Sequence, residues 1–245
     1  MAASIHVGTS GWHYPHWRGV FYPRELASSQ WLSYYARHFR CVEINNSFYR
    51  LPDAEVFARW RKETPADFRF SVKAPQGITH RKKLKDCNES LERFLAHAAA
   101  LEDKLAVVLF QLPPRWHCNV QRLESFLQML PRTLRCAFEF RDPSWHNEEV
   151  YALLRAQQAA FCIFELGELQ APEVTTSKLV YIRLHGPAGP YAGSYSAARL
   201  RDWAAKLRRW QRQGQSAWVF FDNDQAGYAV RNARLLAKLV SSEAL

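Results

Sequence analysis

The residues best suited to chemistry are ionic and amide side chains at every second position of short β-type runs. Glu43 and Asn45, Arg69, Ser71 and Lys73, Gln111, Glu139 and Arg141, and Arg183 and His185 each share the parity of their segment, and Asp222 ends the last run. Side chains of a strand alternate between two faces. These groups therefore share one face, opposite an apolar face that includes Val42 and Ile44, Phe68, Phe70 and Val72, Phe138 and Phe140, and Ile182 and Leu184. Arg141, Arg183 and Lys73 suit the binding of phosphate, carboxylate or sulfate, the arginines through bidentate contact. Glu43 and Glu139 are the candidate catalytic pair, because a buried carboxyl that keeps its proton and an Arg-paired one that stays ionised can divide acid and base work. Asn45, Gln111, His185, Trp12, Asp222 and Asn223 complete the candidate substrate-binding set. The bland alternative is a structural ion network, but apolar packing would fill the space at lower cost and buried ion pairs are weak evidence for stability.

Other chemistries have thinner support. A metal cluster wants several histidines and carboxylates at strand ends. Only His185 is so placed, with His80 and His146 in loops, so no metal is expected. Ser10 and Ser47 lack the surroundings of an activated nucleophile. Cys41, Cys87, Cys118, Cys136 and Cys162 form no CxxC pair, and the odd count argues for free thiols in a reducing cytoplasm. Trp12, Trp17, Trp116 and Trp145 fall in loops, where they either wall a site for rings to stack on or pack a rim. The run Arg81-Lys82-Lys83-Leu84-Lys85 is a solvated basic loop or an attractor for a phosphate backbone.

The elements that position these residues follow from the alternation of strand-like and helix-like segments, which signals parallel strands joined by crossover helices. The strands are expected at Ile5–Thr9, Cys41–Asn45, Phe68–Lys73, Leu105–Gln111, Arg135–Arg141, Ala160–Glu165, Leu179–His185 and Ala217–Asp222. Between them, stripes such as Leu200, Trp203, Ala204, Leu207 and Trp210 recur at helical spacing. Asp53, Asn88, Asn119, Asn147 and Ser196 are candidate N-caps. The stretch Leu166–Lys178 is short and holds Gly167 and Pro172, so the sixth helix is expected to be shortened or missing. Eight such units with no linker make residues 1–245 one closed TIM-type (β/α)8 barrel domain, whose sites form at the C-terminal ends of the strands. An open doubly wound sheet would carry a glycine-rich phosphate loop after strand one. Gly8-Thr9-Ser10-Gly11-Trp12 is not one, and no cofactor is expected.

The 245 residues are 48% hydrophobic and 23% charged, which excludes a disordered or fibrous chain. A formal charge of +10 favours anionic partners, with an anionic small molecule expected and nucleic acid a further candidate. No membrane partner is expected, since no apolar run approaches a span of about 20 residues, and the N-terminus has no export signal. The sequence carries no sign of oligomeric state.

Several motifs in order resemble the YecE-like proteins, domain of unknown function 72. They are Gly8-Thr9-Ser10-Gly11-Trp12 with Trp17-Arg18-Gly19-Val20-Phe21-Tyr22-Pro23, then Val42-Glu43-Ile44-Asn45-Asn46-Ser47-Phe48-Tyr49-Arg50, Lys73-Ala74-Pro75 with Ile78-Thr79-His80, Gln111-Leu112-Pro113-Pro114, Glu139-Phe140-Arg141 with Ser144-Trp145, Tyr181-Ile182-Arg183-Leu184-His185-Gly186, and Asn223-Asp224. The resemblance runs from about Ile5 to Val240 and implies a TIM-type barrel without supplying a reaction. Two positions depart from it: Asp222 stands where the family usually shows Asn, and Glu165 where Asp is more usual.

Two functional readings remain open at this level. One is a metal-independent hydrolase, lyase or isomerase acting on an anionic, phosphorylated or sugar-like substrate. The other is a nucleic-acid-binding or nucleic-acid-processing protein. A third outcome, a scaffold without activity, would leave the strand-end charges paired off with no cleft.

Overall fold

A computed structural model describes residues 3–241. Eight parallel strands form the wall: β1 (Ile5–Thr9), β2 (Cys41–Ile44), β3 (Arg69–Lys73), β4 (Leu105–Leu112), β5 (Cys136–Phe140), β6 (Ala160–Leu166), β8 (Leu179–Leu184) and β9 (Ser216–Phe221). A two-residue strand β7 (Leu169–Gln170) pairs antiparallel with β6. The order around the sheet is β1-β9-β8-β6-β5-β4-β3-β2, with neighbours in parallel register, such as Gln111 opposite Glu139 and Tyr181 opposite Trp218. This is the TIM-type barrel expected from the alternation.

The helices are α1 (Trp31–Tyr35), α2 (Ala54–Glu63), α3 (Asn88–Ala98), α4 (Val120–Met129), α5 (Glu148–Ala156), α6 (Ala197–Arg212) and α7 (Tyr228–Ser241). Asn119, Asn147 and Ser196 cap α4, α5 and α6, each side chain accepting from the amide three residues on. Asp53 stands at the cap of α2 without a side-chain hydrogen bond, and Asn88 lies inside α3, where Cys87 takes the cap position. Between β6 and β8 there is no helix: the chain turns at Gly167 into β7 and then runs irregularly.

Two apolar layers flank the wall. Outside it, Phe110 packs on Phe126 of α4 and on Phe138, with ring centroids 5.1 Å apart in each pair. Fully burying one such ring contributes about 1.5–3 kcal/mol. Inside, Cys41, Val107, Leu109, Ala137, Cys162 and Phe220 form a small plug, which His6 and Trp218 extend as a stacked pair at 3.9 Å. The upper interior is ionic. Among the described residues no helix is long and apolar enough to cross a membrane.

Closure between β1 and β2 is unlike the other seams. Backbone pairing there is limited to a bridge between Ser10 and Glu43, with the Gly11 amide donating to the Glu43 carbonyl at 2.8 Å. Below it the Tyr35 hydroxyl takes the place of a ladder: it accepts from the Thr9 amide at 3.0 Å and donates to the Cys41 carbonyl at 3.1 Å. The strands approach so closely that a Cβ on Gly8 would lie 2.4 Å from the Cys41 carbonyl oxygen.

Tyr35→Phe should therefore cost about 1–3 kcal/mol, because it leaves buried backbone groups without a partner, and lower the melting temperature by about 2–4 °C per kcal/mol. Tyr34→Phe is the control in the same thermal denaturation, expected within about 0.5 kcal/mol of the parent; equal effects would assign no bridging role to Tyr35.

Candidate functional site

The expected strand-end residues meet inside the barrel. Glu43 sits in β2, Glu139 in β5 and Arg183 in β8, each on the inner parity, while Arg141, His185 and Asp222 follow directly on strand ends. The Arg183 guanidinium, fully buried, lies at their centre. It donates from Nε and Nη2 to Glu43 Oε1 at 3.1 and 2.8 Å, from Nη1 to Glu139 Oε2 at 2.8 Å, and from Nη2 to Asp222 Oδ2 at 3.2 Å. His185 Nδ1 is 3.0 Å from Asp222 Oδ2, and its Nε2 is 3.6 Å from Glu139 Oε1. Arg141 Nε donates to Glu139 Oε1 at 2.7 Å.

Glu43 is committed to this framework. Its Oε1 also accepts from the Ser10 hydroxyl at 2.6 Å and its Oε2 from the Tyr181 hydroxyl at 2.6 Å. Four donors and no exposed surface make it the counter-ion of Arg183 rather than a group turned to substrate. Burial would raise the Glu139 pKa, but Arg183, Arg141 and His185 outweigh it and hold the carboxyl well below its usual range. Burial likewise opposes ionisation of Asp222, and the His185 hydrogen bond with Arg183 keeps it low. Both carboxylates are therefore ionised at neutral pH, and so weak a base as Glu139 suits the stabilisation of positive charge rather than proton transfer.

Two cations at the rim are less fully engaged. Lys73, at the end of β3 and 6% exposed, places its ammonium 4.0 Å from the Phe48 ring centroid, and no hydrogen bond or ion pair holds it among the described residues. Burial and then Arg183 lower its pKa to about 8, with Arg141 adding and Glu139 and Glu43 opposing. Among the described residues Arg141 bonds protein through Nε alone, and its side chain keeps 13% exposure. His80 stands edge-on to the same Phe48 ring at 4.8 Å. Its pKa falls to about 4 through burial, Lys73 and Arg141.

The remaining expectations divide. Trp12 and Asn45 line a cavity of about 320 Å³ at the mouth with Gly11, Tyr14, Asn46 and Tyr49, and the buried Asn45 Oδ1 has no partner among the described residues. Gln111 is buried and donates to the Leu112 carbonyl at 2.7 Å. Asn223 turns away from the cluster, its Nδ2 donating to the Gly193 carbonyl and to Asn232 Oδ1 of α7. Of the two family departures, Asp222 joins the cluster, whereas Glu165 pairs with Arg199 of α6 outside the barrel. Trp17 and Trp145 are fully buried and donate to Asp224 Oδ1 and the Trp116 carbonyl, so they pack the rim. The basic loop is pinned by buried Leu84, and Lys82 Nζ donates to the Asp86 carbonyl. His146 bonds the Phe140 carbonyl. Among the described residues no group of His, Cys, Asp and Glu is arranged to hold a metal ion; Arg183 fills the point where the carboxylates converge.

The site residues expected from the sequence leave out Ser10, weighed there only as a nucleophile, and Tyr181 and Tyr191. Tyr181 falls on the inner parity with Arg183, but parity alone does not show that its hydroxyl meets Glu43. Tyr191, 45% exposed and at φ 63°, sets its ring 5.8 Å from His185, and nothing in the strand alternation marks it.

Comparison with known proteins places this architecture. Residues 6–245 match the family described as Protein of unknown function DUF72. The chain belongs to the DUF72 family. A DUF72 protein from Thermotoga maritima MSB8 is 33% identical with a TM-score of 0.87, over 97% of this chain and 99% of that one. A second DUF72 structure, from Enterococcus faecalis V583, superposes with a TM-score of 0.84 at 23% identity over 96% and 95% of the two chains, and shows the fold alone. Among sequences, this DUF72 chain is 30% identical to UPF0759 protein YunF of Bacillus subtilis over 98% of its length and 95% of YunF.

Two stability predictions follow from the cluster. Glu139 and Asp222 have folded pKa values below their unfolded ones, so their stabilisation is present above the ordinary carboxylate range and is lost as pH falls through it. Glu139→Gln should cost about 3–5 kcal/mol at pH 7 by leaving buried charge uncompensated, and it should flatten the decline of the melting temperature below pH 4.5. A parallel decline in both proteins would place the acid sensitivity elsewhere. Lys73 is the opposite case, a cation that folding disfavours. Lys73→Met should raise stability at pH 7 by up to about 3 kcal/mol, and that gain should shrink as pH rises from about 8 to 10.5, where the unfolded lysine also loses its proton. A loss of stability would mean that the ammonium is a structural ion.

Proposed function

We propose that this protein is an enzyme that binds an anionic small molecule, phosphorylated or sugar-like, at the C-terminal mouth of the barrel and acts on it as a metal-independent hydrolase, lyase or isomerase. The observation that carries the reading is the contrast between the saturated guanidinium of Arg183 and the spare donors of Arg141 and Lys73 at the rim. A purely structural network would pair every buried ion, since an unmatched one costs several kcal/mol.

In this reading Arg141 takes the anion through its terminal nitrogens, a fork matched to two oxygens of phosphate or carboxylate. Lys73 faces the reacting end. Glu139, kept ionised, supplies charge stabilisation, and His185, oriented by Asp222, supplies proton acceptance. Glu43 positions Arg183 with Ser10 and Tyr181, and Trp12 and Asn45 wall the entrance. Five free thiols, four of them buried, favour a reducing compartment, and the reading assigns the protein to the cytoplasm.

Thermal denaturation with inorganic phosphate, sugar phosphates and sugar acids tests it. A ligand at a hundred times its Kd stabilises by about 2.7 kcal/mol. At least one of these anions should raise the melting temperature of the parent and lose that effect in Arg141→Met. A panel that shifts neither protein, or both equally, would sink the reading.

A further inference from the structure

Among the described residues two lysines are buried, with opposite environments. Lys104 is 7% exposed, and its Nζ donates to the Arg61 and Thr64 carbonyls, at 2.7 Å each, and to Thr64 Oγ1 at 3.1 Å. That is a structural ammonium with three acceptors for its three protons. Lys73 is as deeply placed at 6% and has no acceptor among the described residues. Its neighbour is the face of Phe48. The Ser47 hydroxyl, which donates to the Lys73 carbonyl at 2.7 Å, ties this loop to β3 and fixes the ring beneath the amine. The same loop gives Asn45, Asn46 and Tyr49 to the mouth cavity.

Burial without an acceptor, beside the charge of Arg183, disfavours the ammonium despite the attraction of the Phe48 face, and leaves an amine lone pair available. The charged groups that bear on Lys73 are Arg183, Arg141, Glu139 and Glu43, and His80 lies beside it. Their balance leaves a substantial fraction of the side chain neutral near pH 8. His80 is held as neutral imidazole, its Nδ1 2.9 Å from Thr79 Oγ1 and its Nε2 without a partner among the described residues. It stands against the same aromatic ring that Lys73 covers.

We propose that Lys73 is an amine nucleophile and that the site takes carbonyl compounds bearing an anionic group, namely aldehyde or ketone phosphates and oxo acids, by forming an imine with them. This rests on the reading that Arg141 receives the anion. The neutral Nζ lone pair adds to the carbonyl carbon while the C=O π pair moves to oxygen. A proton passes from nitrogen to that oxygen through His80, giving a carbinolamine. Departure of the hydroxyl with a proton, as water, leaves the C=N bond, so amine plus carbonyl equals imine plus water with no change of oxidation state. The imine nitrogen then takes a proton from solvent, and the resulting iminium withdraws electrons from the adjacent carbon. This favours lyase and isomerase chemistry over hydrolysis.

Pyridoxal 5′-phosphate and glyoxylate, one large and one small anionic aldehyde, serve as probes of the full-length protein at pH 8, each trapped with sodium borohydride and mapped by peptide mass spectrometry. At least one should give a reduced adduct on Lys73 at tenfold or greater excess over any exposed lysine, absent from Lys73→Met. Arg141→Met or excess inorganic phosphate should lower the pyridoxal phosphate adduct at least fivefold. If neither probe marks Lys73, the imine is wrong. The anion reading survives that result if phosphate or a sugar phosphate still stabilises the parent through Arg141, and falls with it if none does.

Discussion

The guanidinium of Arg183, sealed from solvent and shared among three carboxylates, is the constraint around which the interior is organised. Burying a cation of that size costs several kcal/mol, recovered only when its donors are matched. Glu43, Glu139 and Asp222 supply the match from β2, β5 and the end of β9, which lie around the circumference of the wall. The same ion pairs therefore cross-brace the barrel and set the position of each carboxylate. Arg183 remains charged because those carboxylates outweigh the penalty of burial. Its charge in turn keeps Glu139 ionised, and Glu139 holds Arg141 at the rim. Position and protonation descend from one group.

The interior changes character along its axis. Small and aromatic apolar residues close the lower half, and the ionic cluster occupies the upper half toward the strand C-termini. A uniformly apolar filling would have been compatible with the same wall, as layers of branched side chains are in other barrels of this type. The polarity is not a requirement of closure, and this is why it reads as a site. The saturation of its central members and the incompleteness of Lys73 and Arg141 separate the framework from the working edge.

Much of this was legible in the sequence because alternation is a local signal with a global consequence. Once the strands are placed, the parity of Glu43, Glu139 and Arg183 fixes their convergence, and the short stretch between Leu166 and Lys178 leaves room for a shortened sixth helix at most. What was not legible depends on partners far along the chain. Tyr181 reads as one more aromatic strand residue until its hydroxyl meets Glu43, and Ser10 as a loop serine until its own does. Asn223 follows Asp222 directly, yet successive side chains diverge and its amide is drawn to α7. Glu165 falls on the outer parity of β6, so the departure there alters a contact with α6 while the one at Asp222 alters the cluster itself. The tyrosines that matter most are invisible to a polarity rule, since their rings and hydroxyls obey different solvents.

The seam between β1 and β2 gives the wall a slit. A tube cut along its length twists far more readily than an intact one, and here the cut is stitched by a phenol and a single bridge. Its two lips carry Ser10 and Glu43, which are also joined side chain to side chain. Spreading the lips would withdraw a donor from the carboxylate that anchors Arg183, so the mechanical state of the cylinder is wired to the electrostatics at its centre.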